Sequence, residues 1–315
     1  MTRRSGRQSG SGPGERPSDR PRLGLCCLFV NEPDIRFRTT TTRALGKFSG
    51  DGRRARLLGI ARENFTALVA AIQACGRLGI RAFRVMSGLL PLSTHPDYLY
   101  GLGDLPPETL ALVDSAADLA RHHSIRLSFH PDQFVLLGSP REDVTTAALR
   151  DLEQHAELAE ALGGDVITIH GGGSYGDKPA ALERVARTLD RLSARARTRL
   201  TVENDDKVFH VCDLLPLCRS SGLPLTYDVH HHRCLPDGLS VVEATRLALA
   251  TWSREPLFHV SSPREGWGSR QPWRHADYVR RPDFPDEWLG LQLTVDVEAK
   301  AKERAVLQLE RELVK

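Results

Sequence analysis

Residues 165–204 carry the clearest structural pattern in the chain: DVITIHGGGSYGDKPAALERVARTLDRLSARARTRLTVEN. Two short apolar runs, DVITIH (165–170) and RLTVEN (199–204), flank a segment whose spacing indicates an amphipathic helix over residues 179–197. Two strands joined through a helix pair in parallel, because the helical crossover returns the chain to the same edge of the sheet. The stretch therefore predicts one strand–helix–strand unit.

The same alternation continues on both sides of this unit. Six more apolar runs, bounded by Gly or Pro, indicate strands over residues 23–30, 81–86, 125–130, 223–229, 256–262 and 291–299. Helical patterns occupy residues 56–78, 107–122, 144–162, 210–221, 240–251 and 299–313. Strands and helices that alternate eight times predict a single (β/α)₈ TIM barrel of the α/β class.

The barrel, over residues 22–315, is expected to be the only folded domain. An open doubly wound sheet is disfavoured because no Gly-x-Gly-x-x-Gly sequence follows the first strand. Residues 263–290 indicate a long loop with a short turn near Trp288, and not a second domain. The first 21 residues, MTRRSGRQSGSGPGERPSDRP, contain almost nothing apolar and predict a disordered basic tail.

The composition is that of an ordinary globular protein, with 40% hydrophobic and 26% charged residues in a chain of 315. The net charge of +3 is compatible with a polyanionic partner, although surplus surface arginine explains it equally well. None of the 6 cysteines forms a C-x-x-C pair, which argues against a zinc ribbon or a thioredoxin site and favours a reducing, cytoplasmic setting. We expect neither a signal peptide nor a membrane span, since no apolar run is long enough.

Histidines and carboxylates recur at the carboxyl ends of the predicted strands, which converge on one mouth in a barrel. A single histidine there is more often a hydrogen-bonded loop residue, but this pattern recurs on most strands. The candidate ligands are His130, His170, Glu203, Asp228, His231, His259, His275 and Glu298. Imidazole and carboxylate together suit Mn²⁺, Zn²⁺ or Fe²⁺, and so many ligands indicate a cluster of two or three divalent ions. Of the neighbouring His230 and His232, one could hold a ligand in place while the other is exposed.

Three loops on the same face carry phosphate-binding chemistry. RFRTTTTR, after strand one, places arginines beside hydroxyls, and GGGSYGDK, after strand four, combines flexible backbone amides with Lys178. After strand seven, Arg264 and Arg270 alternate with Trp267 and Trp273, which suits a nucleic-acid backbone and an unstacked base. Together with a metal cluster, which suits in-line displacement at phosphorus, these loops indicate a polyanionic substrate.

Seven segments taken in order resemble the UV-damage endonucleases: FHPDQFVLLGSP, ITIHGGGSYGDK, LTVEND, YDVHHH, FHVSSP, HADYV and DVEAKAKE. The resemblance covers residues 23–303, and it places the chain in the barrel superfamily of endonuclease IV and xylose isomerase. It implies a metal-dependent DNA repair endonuclease, with manganese as the metal. Its partner would be double-stranded DNA, cut on the 5′ side of pyrimidine dimers and 6-4 photoproducts, and we expect a monomer.

Carried over by position, the resemblance implies the eight ligands named above and two catalytic residues. His95 matches a histidine near the scissile phosphate, and Lys178 matches a lysine on the phosphate path. Gln133 matches the first of two probe residues that enter the DNA and fill the space left by flipped bases. The second probe is Phe134, where the family usually has tyrosine.

Two further positions depart from the family pattern. Leu257 stands where the family usually has a carboxylated lysine that bridges metals, and Leu25 stands where it has a tyrosine. Because leucine cannot ligate, the sequence leaves open a reduced number of metals. Two other functions therefore stay open: a metal-dependent sugar isomerase or phosphohydrolase of the same superfamily, and a DNA-damage binder with weakened catalysis.

Overall fold

The computed structural model describes residues 20–314, and the protein folds there into a barrel of parallel strands surrounded by helices. The predicted disordered tail, apart from its last two residues, lies outside the described residues. The strands are β1 (Arg22–Cys26), β2 (Ala82–Val85), β3 (Arg126–Phe129), β4 (Val166–His170), β5 (Leu200–Glu203), β6 (Leu225–Thr226), β7 (Leu257–Val260) and β8 (Thr294–Val297). The predicted (β/α)₈ barrel is confirmed.

Strand order runs β6-β5-β4-β3-β2-β1-β8-β7, so every strand except β6 pairs with the next strand along the chain, and β8 pairs with β1. The barrel closes at a seam between β6 and β7, where the backbone pairing is short. His259 N–H donates to the carbonyl of Tyr227 at 3.0 Å, and Asp228 and His259 form an isolated parallel bridge. The seam therefore lies at the carboxyl ends of the strands.

Helices follow most strands and cover the outside of the barrel. They are α1 (Thr42–Leu45), α2 (Gly50–Leu78), α3 (Pro107–His122), α4 (Glu142–Leu162), α5 (Lys178–Leu189), α6 (Ala194–Arg197), α7 (Val211–Ser221), α8 (Val229–Cys234), α9 (Val241–Leu249) and α10 (Glu303–Leu313). Short 3₁₀ turns occupy Leu102–Asp104, Arg281–Asp283 and Asp286–Trp288. Across residues 20–314, no helix is both long enough and apolar enough to span a bilayer.

Three of the differences from the predicted elements have a clear local cause. β1 ends at Cys26 and not at residue 30, because Cys27 has a φ of 63° and leaves the extended conformation. The predicted helix over residues 179–197 is two helices, since Ser193 caps a new helix with its own side chain. The third error is α8, a helix that the sequence analysis did not predict and that Asp228 caps in the same way.

The barrel interior is polar beneath its mouth. Thr201 Oγ1 lies 3.1 Å from the Thr168 hydroxyl and 2.8 Å from the Thr226 hydroxyl, each two residues before a candidate ligand. Because strand side chains alternate between faces, these threonines and the ligands above them share the inner face. The apolar core lies instead between the strands and the helices, and it includes Phe83, Phe129 and the other outward-facing residues.

Gly24 in β1 leaves space in the barrel interior for the carboxylate of Asp296. A Cβ at Gly24 would lie 2.3 Å from Asp296 Oδ1 and 3.2 Å from the Ala82 Cβ. We expect Gly24→Ala to lower the free energy of unfolding by about 1–3 kcal/mol, because Asp296 is buried and cannot move aside freely. Urea denaturation would measure the loss. The matched control is Gly59→Ala in α2, where a Cβ meets nothing within 4 Å and should stabilise the helix by about 0.5–1 kcal/mol. Equal stability of both variants would contradict this packing.

Candidate metal centre at the mouth of the barrel

The predicted ligands lie on six strand ends and one loop around the mouth. His130 follows β3, His170 ends β4, Glu203 ends β5, and Glu298 follows β8. The remaining ligands are Asp228, which caps α8, His231 within α8, His259 in β7, and His275 in the loop after β7. The parallel register places His170 beside Glu203, so positions that are distant in sequence meet at one level of the barrel.

Glu203 is the centre of this cluster. Its Oε2 lies 2.8 Å from His130 Nε2 and 3.8 Å from His170 Nδ1. Its Oε1 lies 2.9 Å from His259 Nδ1 and 3.2 Å from His231 Nδ1. Burial raises the pKa of this carboxyl, but the surrounding histidines, His259 first, outweigh burial and hold it well below the ordinary value. Glu203 is therefore ionised, and this one carboxylate holds three imidazoles, with a fourth, that of His170, nearby.

Asp228 and His231 are positioned by the backbone around them. Asn204 fixes Asp228 by donating to its carbonyl at 2.9 Å and accepting from its N–H at 3.0 Å. Asp228 Oδ1 in turn accepts from His231 N–H at 2.8 Å, which begins α8. His231 Nδ1 lies 3.0 Å from the Asn204 carbonyl, and such a partner orients the ring of a metal-binding histidine.

Two groups of three side chains have the geometry for a metal ion: His130, His170 and Glu203, and Glu203, Asp228 and His231. Within residues 20–314, His170 Nδ1 and Asp228 Oδ2 are buried and have no hydrogen-bond partner. A buried polar atom without a partner is costly, and a bound cation would remove the cost. Burial also lowers the pKa of His170, which keeps the ring neutral as a ligand must be. Nitrogen and oxygen donors of this kind fit a divalent metal.

A cavity of about 400 Å³ opens above these groups. Six predicted ligands line it: His130, His170, Glu203, His231, His275 and Glu298. Asp228 and His259 are fully buried beneath it. Gln133 also lines the cavity, and the adjacent Phe134 projects outward with 72% of its surface exposed. The chain thus passes from a candidate ligand to an exposed aromatic ring within five residues.

The tryptophan-containing loop packs against the same mouth. Pro263 and His275 form an antiparallel bridge, and Trp267 Nε1 donates to Asp283 Oδ1 at 2.8 Å. Trp267 is thereby anchored although 36% of its surface is exposed, and Trp273 is 41% exposed. Arg264 and Arg270 are exposed on this loop.

His95 and Lys178 do not line the cavity. His95 is half-buried, and its Nδ1 lies 3.2 Å from Asp97 N. Lys178 is the first residue of α5, where its ammonium pairs with Asp213 at 2.7 Å. As for the neighbouring histidines, both His230 and His232 are buried, so neither is exposed.

Arg84 is a site residue that the sequence analysis missed. It lines the cavity and donates to Asp296 at 3.0 Å and to Glu298 at 2.6 Å. Burial raises the pKa of Glu298, but Arg84, His259 and His275 together outweigh burial and hold that pKa well below the ordinary value. The position of Leu257, two residues before His259, contributes a buried apolar side chain, and Leu25 belongs to the apolar core.

Comparisons with known proteins agree over almost the whole chain. The model of a family described as UV-endonuclease UvdE matches residues 21–315. A UV DNA damage endonuclease of Deinococcus radiodurans is 34% identical over 303 residues, which cover 92% of this chain and 94% of that protein. One of Bacillus velezensis is 33% identical over 299 residues and covers 91% of each chain. The crystal structure of SacUVDE, 27% identical, superposes with a TM-score of 0.83 over 93% of this chain and 98% of that one.

Proposed function

This chain belongs to the UV-endonuclease UvdE family and is a UV DNA damage endonuclease, and we propose that it incises duplex DNA 5′ to pyrimidine dimers and 6-4 photoproducts with manganese at its mouth. The observation that supports this proposal most strongly is that the candidate metal ligands lie next to the candidate lesion-probe residues. Gln133 lines the same cavity as the histidine and carboxylate cluster around Glu203, and the exposed Phe134 follows it directly. A cutting centre and a lesion probe are thus joined by a few residues.

Five residues would hold the divalent ions: His130, His170, Glu203, Asp228 and His231. Divalent ions bound there would polarise the phosphodiester and stabilise the charge that develops on its oxygens. The protein supplies the fixed geometry. Glu203 holds the imidazoles of His130, His231 and His259 in place, and Asn204 fixes both Asp228 and His231. Little rearrangement is therefore needed when the phosphate arrives.

Lesion recognition would rest on Gln133 and Phe134. A flipped base leaves a gap in the stack, and an exposed phenyl ring can fill it by stacking on the neighbouring bases. Extrusion costs least at damaged bases, so deformability supplies part of the selectivity. The loop with Arg264, Arg270 and Trp273 would contact the DNA backbone on the same side.

His95 and Lys178 are proposed to act on the phosphate path and not on the metals. Lys178 forms a salt bridge with Asp213, and His95 is not among the residues that line the cavity. DNA would have to approach His95 from the loop after β2, and Lys178 would contribute chiefly through its charge. These are roles in binding and orientation.

The test is nicking of UV-irradiated supercoiled plasmid by the chelator-stripped protein with Mn²⁺, Mg²⁺, Zn²⁺ or Co²⁺ added back. We expect cutting of irradiated plasmid only, greatest with Mn²⁺ and reduced to background without metal, because divalent ions held by these ligands would supply the charge that stabilises the phosphate oxygens. An end-labelled duplex with one pyrimidine dimer would locate the cut on the 5′ side. Metal-loaded protein that binds DNA and leaves irradiated plasmid intact would overturn the proposal and favour a damage binder.

A further inference from the structure

The two tryptophans of the loop after β7 are almost equally exposed but differ in their contacts. Trp267 is 36% exposed and Trp273 is 41% exposed. Trp267 Nε1 donates to Asp283, whose carboxylate also accepts from the Ser262 hydroxyl. Across residues 20–314, the indole of Trp273 makes no hydrogen bond, aromatic contact or cation–π contact. The Trp273 ring is therefore available to a base, whereas Trp267 is held by the protein.

The ring of Trp267 packs against helix α8. Its centroid lies 5.2 Å from that of the His230 ring and 5.7 Å from the guanidinium carbon of Arg233. Residues three apart in a helix share one face, so both neighbours of Trp267 lie on the same side of α8. Arg233 also donates to the Asp283 carbonyl at 2.7 Å. Trp267, α8 and the backbone at Asp283 therefore form one packed unit.

His230 connects this unit to a candidate ligand. Its ring is fully buried, and its centroid lies 5.0 Å from that of His275, with the two rings edge to face at 83°. Unlike the other predicted ligands, His275 lies well inside a loop, between β7 and β8. A loop fixes a side chain less precisely than a strand does, so the ring of a ligand there depends on the side chains packed around it. His230 supplies such packing for His275.

We propose that Trp267 is a positioning residue of the metal centre, which orients His275 through His230, and that Trp273 is the tryptophan that contacts DNA. This inference rests on the metal centre proposed above. It gives different roles to two tryptophans that the sequence assigned together to nucleic acid. Loss of a residue that supports a metal-binding histidine weakens metal binding, whereas loss of a ring that stacks on a base weakens DNA binding.

Separate measurements of metal binding and DNA binding on the intact protein test this division. Chelator-stripped protein would be titrated with Mn²⁺ in the absence of DNA, with the free ion followed by electron paramagnetic resonance. Binding of irradiated duplex would be measured in chelator, without metal. Trp267→Ala should weaken Mn²⁺ binding by about 10-fold and leave metal-free DNA binding within about twofold of wild type. Trp273→Ala should bind Mn²⁺ like wild type and bind DNA roughly 5- to 150-fold more weakly.

His230→Leu tests whether Trp267 acts through His230. Leucine lacks the ring that contacts His275, so this variant should also weaken Mn²⁺ binding by about 10-fold. The double variant should bind Mn²⁺ no more weakly than the weaker single variant, because two residues that act in one chain of contacts are not additive. Single losses that multiply in the double variant would overturn the inference. If thermal melting shows that Trp267→Ala does not fold, His230→Leu alone decides, and unchanged Mn²⁺ binding would overturn the inference.

The wild-type titration separates this inference from the proposed function. Wild type that binds no Mn²⁺ contradicts the metal centre and the endonuclease proposal with it. Wild type that binds Mn²⁺ no more tightly than Trp267→Ala contradicts only the positioning role. Metal-free DNA binding that falls as far in Trp267→Ala as in Trp273→Ala would likewise show that Trp267 is a DNA contact.

Discussion

Replacing Glu203 by glutamine should reduce nicking of irradiated duplex by about 10³-fold, which corresponds to about 4 kcal/mol of lost transition-state stabilisation. Glu203 is shared by both metal-binding groups, and its two oxygens face four histidines. The amide has nearly the same shape but no charge, and its N–H₂ would confront rings that now donate to the carboxylate. Both ion positions are weakened by one substitution. Single-turnover nicking and elemental analysis would measure the two losses.

The matched control is Glu183→Gln on the outer face of α5. That glutamate is 73% exposed and, among residues 20–314, pairs only with Arg187, an arrangement that contributes little to stability. It should nick like wild type. If Glu203→Gln, with an unchanged melting temperature, cut within tenfold of wild type, the centre would not be organised around this carboxylate.

Phe134→Ala should lower kcat/KM on irradiated duplex by roughly 5- to 150-fold, because stacking of a base on an aromatic ring is worth about 1–3 kcal/mol. The ring is 72% exposed and contributes little to the core, so stability should not change. Metal content should also stay at the wild-type value, since Phe134 is not a ligand. Steady-state nicking of a single-dimer duplex would measure the effect.

Two variants make this result specific to the ring. Phe134→Tyr keeps the stacking surface and should cut within a few-fold of wild type. Val242→Ala in α9 removes another exposed apolar side chain, 59% exposed, from outside the mouth and should change nothing. If Phe134→Ala cut irradiated DNA as well as wild type, Phe134 would not be a lesion probe.

The barrel was predictable because its signals are local and repeated. Apolar runs of strand length alternated with helical spacing, and the parallel topology follows from that order alone. The ends of β1 and α8 were not predictable in the same way. The turn at Cys27 depends on one residue in the left-handed conformation. Helix α8 contains three consecutive histidines; the side chain of Asp228 caps its first turn, and a helix this short depends on tertiary packing for its stability.

The candidate ligands could be proposed because most of them stand at or just after a strand end. Arg84 and Asp296 were missed because they lie within apolar strands, where sequence alone does not reveal a partner on another strand. A signal was nevertheless present in the runs RAFRVM and LQLTVDVEA. Arg84 and Asp296 each lie between two apolar residues, and this alternation places their side chains on the face of the strand that points into the barrel. Two opposite charges on inner faces of neighbouring or near-neighbouring strands would have suggested the pair.

The seam between β6 and β7 gives the barrel an unusual vulnerability. Asp228 and His259, which form its bridge, also belong to the group of residues around Glu203. If the barrel opened at this seam, Asp228 and His259 would separate. The barrel would then lose its closure and the candidate metal centre at the same time. Engineers who alter lesion preference should thus leave these two positions alone and work on the tip, where recognition is separate from the integrity of the molecule.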